Sequence, residues 1–99
     1  MEAPMGKKLN LEPIACESFG EARDKAAHIA RYSQYRYLVW ERGDDQYYYA
    51  LATPQTVKQM MLDAGTQGLM RIYDRTGFLR LTWWVANNIR RQLLRTWRG

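Results

Sequence analysis

The sequence predicts an α+β fold: a single domain with a four-stranded antiparallel sheet and helices packed on one face of it. Three observations carry the prediction. Apolar stripes at helical spacing recur in three segments. Two pairs of short aromatic and β-branched runs are each joined by a tight polar turn. The 99 residues, 46% of them apolar and 25% charged, suffice for one core. The expected order is helix, hairpin, helix, hairpin, helix.

Residues 1–17 read as an irregular N-terminal arm, broken by Pro4, Gly6 and Pro13, and residues 18–99 as the α+β domain. Leu9, Leu11 and Ile14 are spaced to lay one short extended piece on the core. Ser18-Phe19-Gly20-Glu21 is a capping box, in which the Ser18 hydroxyl accepts from the Glu21 amide and the Glu21 carboxylate reaches back. The helix it opens runs to about Tyr32 or Ser33, with Phe19, Ala22, Ala26, Ile29 and Ala30 on one stripe. Its small alanines suit close packing on a sheet.

Tyr35–Arg42 and Gln46–Ala52 are rich in strand formers, and Gly43-Asp44-Asp45 between them is turn material. Thr53 is an N-cap and Pro54 a first helical residue, where a missing N–H costs nothing. Val57, Met60, Met61 and Ala64 form the inner face of this second helix, and Gly65 stands where a helix ends. Leu69–Tyr73 and Phe78–Trp83 are strands joined by the turn Asp74-Arg75-Thr76-Gly77. The second alternates, with Leu79, Leu81 and Trp83 on one face and Phe78, Arg80 and Thr82 on the other. From about Trp84 to Trp97 the pattern is helical. Val85, Ala86, Ile89, Leu93, Leu94 and Trp97 share one side, and Asn87, Asn88, Arg91, Gln92, Arg95 and Arg98 the other.

Charge is the most informative feature. Residues 1–70 carry eight Lys and Arg against nine Asp and Glu, whereas residues 71–99 carry seven arginines against one acid, Asp74. A basic third of net charge +6 favours an anionic partner. Guanidinium adds bidentate contact to phosphate or carboxylate.

Signals for catalysis are weak. No Gly-rich phosphate loop follows a strand, and no Cys/His cluster has metal-ligand spacing, so no cofactor or metal is expected. Cys16 is the single cysteine and His28 the single histidine, and no third group is evident to orient them as a nucleophile–base pair. Asp44 and Asp45 read as solvated turn formers rather than a carboxylate pair. Met1–Asn10 has Lys7 and Lys8 but no following apolar run, so no secretory signal is predicted and a cytoplasmic location is expected. No stretch is apolar for long enough to span a bilayer.

The chain is therefore expected to be a small non-enzymatic binding module. In the first reading it contacts nucleic acid. Arg91, Arg95 and Arg98 stack on one helical face to hold phosphates, Arg71, Arg75 and Arg80 extend the track, and Asn88 offers an amide. Residues 84–98 contain no Asp or Glu, unlike a helix face with mixed i,i+4 pairs. Tyr73 and Phe78, with Tyr47 and Tyr49 of the first hairpin, are the stacking or interface candidates. The alternative is a protein–protein interaction domain (an adaptor, assembly subunit or inhibitor of a larger complex) with Tyr and Trp anchors and an acidic partner. Two other readings fit less well. A winged helix–turn–helix over Thr56–Tyr73, with Arg75 at the wing tip, fails because Leu69–Tyr73 is a poor recognition helix and a good strand. A membrane-surface helix flanked by Trp83, Trp84 and Trp97 competes with the core for the same apolar side.

Overall fold

The computed structural model describes residues 11–43 and 45–97. Its elements are β1 (Ile14–Cys16), α1 (Phe19–Tyr32), β2 (Tyr37–Glu41), β3 (Tyr47–Leu51), α2 (Pro54–Ala64), β4 (Met70–Tyr73), β5 (Phe78–Arg80) and α3 (Trp83–Thr96). The mixed α+β class, the three helices and an antiparallel sheet are as the sequence predicts. The sheet, however, has five strands, in the order β1-β3-β2-β4-β5, and the element order begins with a strand. Ile14–Cys16 pairs antiparallel with Tyr47–Tyr49. Three residues are too few for a period-2 pattern to show, so only pairing reveals them as a strand.

A second correction concerns the layers. The helices do not share one face: α1 covers one side of the sheet, and α2 with α3 covers the other. Strand alternation sends Val39, Tyr49 and Tyr73 to the buried alanines of α1, Ala22, Ala26 and Ala30. It sends Leu38, Trp40, Ala50, Met70 and Ile72 to Val57, Met60 and Met61 of α2 and to Ala86 and Leu93 of α3. The physical reason lies in β2, whose Leu38, Val39 and Trp40 are all fully buried. A central strand apolar on both faces needs a cover on each.

The helix starts follow local chemistry. The Ser18 hydroxyl accepts from the Glu21 N–H at 3.1 Å as predicted, but the Glu21 carboxylate accepts from the Glu17 N–H at 2.9 Å instead of the Ser18 N–H that a full capping box would use. At α2, Thr53 and Thr56 satisfy each other's backbone N–H groups, and both are buried. Gly65 closes that helix at φ 65°, donating its N–H to the Met61 carbonyl. A Cβ at Gly68 would come within 2.5 Å of the Ala64 carbonyl oxygen, so the chain leaves α2 through a position that only glycine fills.

The last boundary differs from the sequence pattern. The ladder ends with Leu81, whose N–H donates to the Met70 carbonyl, and Thr82 caps α3 by accepting from the Val85 N–H at 3.2 Å. Trp83 thus belongs to the helix, because a hydroxyl at the junction offers the first-turn amides a partner that the strand cannot. Polar contacts also tie the sheet to α2. The fully buried Trp40 donates its indole N–H to Asp63 at 2.9 Å, and Gln59 donates to the other carboxylate oxygen at 2.8 Å. No helix among the described residues is long and apolar enough to cross a membrane.

Candidate nucleic-acid interface

The acid-free helix α3 leans on α2 and on the sheet through Ala86, Leu93 and the half-buried Ile89. At 100° per residue the side opposite Ala86 and Leu93 is centred on Trp84. Arg91 and Arg95 fall within about 20° of that direction and Asn88 within about 40°. These four residues, at spacing i, i+4, i+7 and i+11, are all exposed, Trp84 at 75%. They form a straight stripe roughly 16 Å long at 1.5 Å rise per residue. The buried side is narrower than the apolar pattern predicts, since Val85 and Leu94 are 40% and 55% exposed.

The stripe carries uncompensated charge. The ion pairs Arg23–Asp24, Lys25–Glu21 and Arg42–Asp63 all lie elsewhere, and Arg91 and Arg95 make none among the described residues. Arg95 also stands in the last turn, where a cation complements the helix carbonyls. Arg98 lies outside the described residues, as does Asp44 of the aspartate pair.

The other predicted site residues are distributed differently. Arg71 and Arg80 are cross-strand partners on the α1 side of the sheet, opposite the side on which α3 packs. Arg71 is held in place. Its guanidinium carbon is 4.8 Å from the centre of the Phe19 ring and 4.3 Å from that of Phe78, and Nη1 donates to the Tyr73 hydroxyl at 3.1 Å. Arg75 is exposed in the β4–β5 turn, where it lines an open hollow with Arg31, Tyr32 and Tyr35. The structure thus brings Asn88, Arg91 and Arg95 together on α3, gathers Arg71 and Arg80 on the other side, and sets Arg75 at one end.

Among the ring candidates, α1 covers Tyr49 and Tyr73, which are 7% and 4% exposed. Tyr47 is half-buried, edge-on to Phe19 at 6.1 Å. Phe78, exposed on β5, packs on one side against Tyr73 at 5.4 Å. Trp84 was not among the sequence-derived site residues, although its i, i+4, i+7 relation to Asn88 and Arg91 was there to be read. The strand–helix boundary hid it, because a helix counted from Trp84 makes that residue a terminus rather than part of a face.

Cys16 and His28 lie on different elements, β1 and α1. Cys16 is half-buried on β1, and burial pushes its thiol up, reinforced by Glu21 and opposed by Lys25. His28 is exposed on α1, nine residues or roughly 13 Å along the helix from its start, with its ring 5.0 Å from Tyr32. No group of three or more His, Cys, Asp or Glu able to hold a metal ion occurs among the described residues.

The class defined by these features is a small layered α+β domain with one exposed, acid-free arginine–tryptophan helix. No family model, curated protein or solved structure gives a significant match to the chain.

Proposed function

We propose that this chain is a non-enzymatic binding module that contacts single-stranded nucleic acid through the exposed face of α3. The observation that carries the reading is the stripe Trp84–Asn88–Arg91–Arg95, free of acids and of ion pairs among the described residues. An exposed indole gives an unstacked base a flat apolar surface, and this contact is indifferent to sequence. Arg91 and Arg95 are one helical turn apart, about 6 Å by helix rise, so they can bind successive phosphates of one strand. Asn88 between ring and cations offers both a donor and an acceptor.

The test is anisotropy of labelled single-stranded DNA and RNA, titrated with the protein at several salt concentrations. Arg91→Gln with Arg95→Gln removes two phosphate contacts, so the salt slope should flatten by about 1.4, at 0.7 per contact on a single strand. Trp84→Ala should weaken binding roughly ten-fold at unchanged slope, as for a lost stacking contact of 1–3 kcal/mol. Absence of binding at low salt, or a slope untouched by the double variant, would remove nucleic acid from this face.

A second reading rests on the same charge. Exposed Leu94 and Val85 flank the arginines, an arrangement that also suits an acidic protein with an apolar centre. It becomes the working reading if single strands do not bind.

A further inference from the structure

Neither helical layer covers β5, the strand at one edge of the sheet. Helix α1 packs across β1 to β4, and α2 packs over β2, yet Phe78 and Leu79 of β5 are 52% and 64% exposed on opposite faces of the sheet. Their cross-strand partners Tyr73 and Ile72, one strand inward, are buried. An edge strand apolar on both faces is open to further pairing, and native edges are normally blunted against this. Arg80 is the only charge on β5.

Hydrogen bonding fixes which groups of β5 remain free among the described residues. Leu81 donates its N–H inward to the Met70 carbonyl, and the Gly77 carbonyl accepts inward from the Asp74 N–H. Antiparallel alternation therefore turns the Leu79 backbone inward as well, and aims the N–H and C=O of Phe78 and Arg80 at the open edge. Those four groups define one self-complementary register.

We propose that β5 pairs antiparallel with β5 of a second copy of this chain, with Leu79 on the two-fold axis, making one continuous ten-stranded sheet. In this register Phe78 faces Arg80 of the second copy, and Arg80 faces its Phe78. Each of these two pairs exchanges both backbone hydrogen bonds, so every outward group of β5 is satisfied. Side-chain chemistry agrees with the register. Arg80 is brought beside a phenylalanine, the same cation–ring contact that Arg71 already makes with Phe78 within the chain. The two Leu79 side chains meet as a non-hydrogen-bonded pair, the closest kind, with Cα atoms about 4.5 Å apart. An acidic peptide would answer Arg80 as well, but a second copy answers Arg80, Phe78 and Leu79 together. The interface uses neither Trp84 nor Arg91 nor Arg95, so it stands or falls apart from the nucleic-acid reading.

The test combines sedimentation velocity with cysteine crosslinking on the full chain. Wild type should move with rising concentration from 11.7 kDa to twice that mass, and Leu79→Lys should stay at 11.7 kDa throughout. In a Cys16→Ser background, oxidised Leu79→Cys should form a disulfide dimer, since about 4.5 Å lies within the Cα range of a disulfide. Arg80→Cys, diagonal to its own copy at roughly 7–8 Å, should crosslink at least ten-fold more slowly. A wild type that stays monomeric, with equal crosslinking at the two positions, would overturn the pairing and leave the edge to an extended segment of another protein. A dimer that Leu79→Lys leaves intact would also overturn it, by placing the contact elsewhere. The crosslinking comparison decides the matter even if Leu79→Lys perturbs folding.

Discussion

The Arg71 guanidinium lies between the rings of Phe19 and Phe78, 4.8 Å from one centre and 4.3 Å from the other, so a single cation ties the start of α1 to the outer strand of the sheet. Arg80 stands directly across from it in the ladder, and like charges at such a pair are unfavourable unless one is turned aside. Arg71 meets that condition by spending its charge on two rings and the Tyr73 hydroxyl.

Arg71→Met keeps the apolar stem but removes the charge and the hydrogen bond. It should cost about 1–3 kcal/mol in urea unfolding, from cation–ring terms of roughly 0.5–2 and one hydrogen bond of about 1. Arg80→Met, on an exposed position without an ion pair among the described residues, should stay within about 0.5 kcal/mol of wild type. Equal effects of the two substitutions would show that the rings alone hold α1 to β5.

The Trp40–Asp63 hydrogen bond makes a second prediction. Asp63→Ala leaves a buried indole N–H without its acceptor and should destabilise by about 1–3 kcal/mol. Asp63→Asn keeps an acceptor oxygen and should cost clearly less. The readout is the shift in denaturant midpoint at constant m, since a changed m would mean a changed unfolded state.

Asp74 carries a pH dependence. Its Oδ1 accepts from the Thr76 hydroxyl, the Thr76 N–H and the Gly77 N–H, all within the β4–β5 turn. The Thr76 side chain is the main cause that holds the carboxyl below the usual aspartate range, followed by the two backbone donors and Arg36. A carboxyl lowered on folding contributes stability above its unfolded pKa and loses it as pH falls through the folded value. Carboxyl NMR should therefore show Asp74 titrating below ordinary aspartate, and Asp74→Ala should flatten the acid limb of the stability profile in that window. An unshifted midpoint would mean the turn hydrogen bonds do not persist in solution.

Close approach of α1 to the sheet rests on small side chains. Ala26 is fully buried opposite a face bearing Val39, Tyr49 and Tyr73, so Ala26→Leu should lift the helix and cost about 1–3 kcal/mol. Lys25→Leu, one residue away and exposed, should change thermal stability by no more than about 0.5 kcal/mol. A neutral Ala26→Leu would mean that α1 does not pack closely on this face.

Most of the elements were legible because their signals are local. Ser18, Thr53, Pro54 and Gly65 act within one helical turn, and each does in the structure what its side chain or backbone predicts. The β2 and β3 strands are dense enough in rings and branched residues to be unmistakable. Thr82 was harder, since a threonine that extends an alternating strand is equally able to cap a helix, and only the ladder's end at Leu81 decides between them. For the candidate site, the absence of acids from α3 was plain in the sequence, and so were its arginines. The separation of Arg91 and Arg95 from Arg71 and Arg80 was not, because it depends on which side of the sheet each element occupies.

What the sequence by itself determined is therefore the set of elements that short-range chemistry specifies: three helices, two of them with legible caps, two hairpins and a basic final third. What only the tertiary structure decided is how those pieces share surfaces. Val39 beside Leu38 and Trp40 allows a helix on either face of β2, and the choice falls to which face accepts alanines and which accepts methionines. Ile14–Cys16 becomes a strand only because β3 leaves it an edge. Burial and pairing are relations between distant residues, and a one-dimensional pattern records each partner without recording the pair.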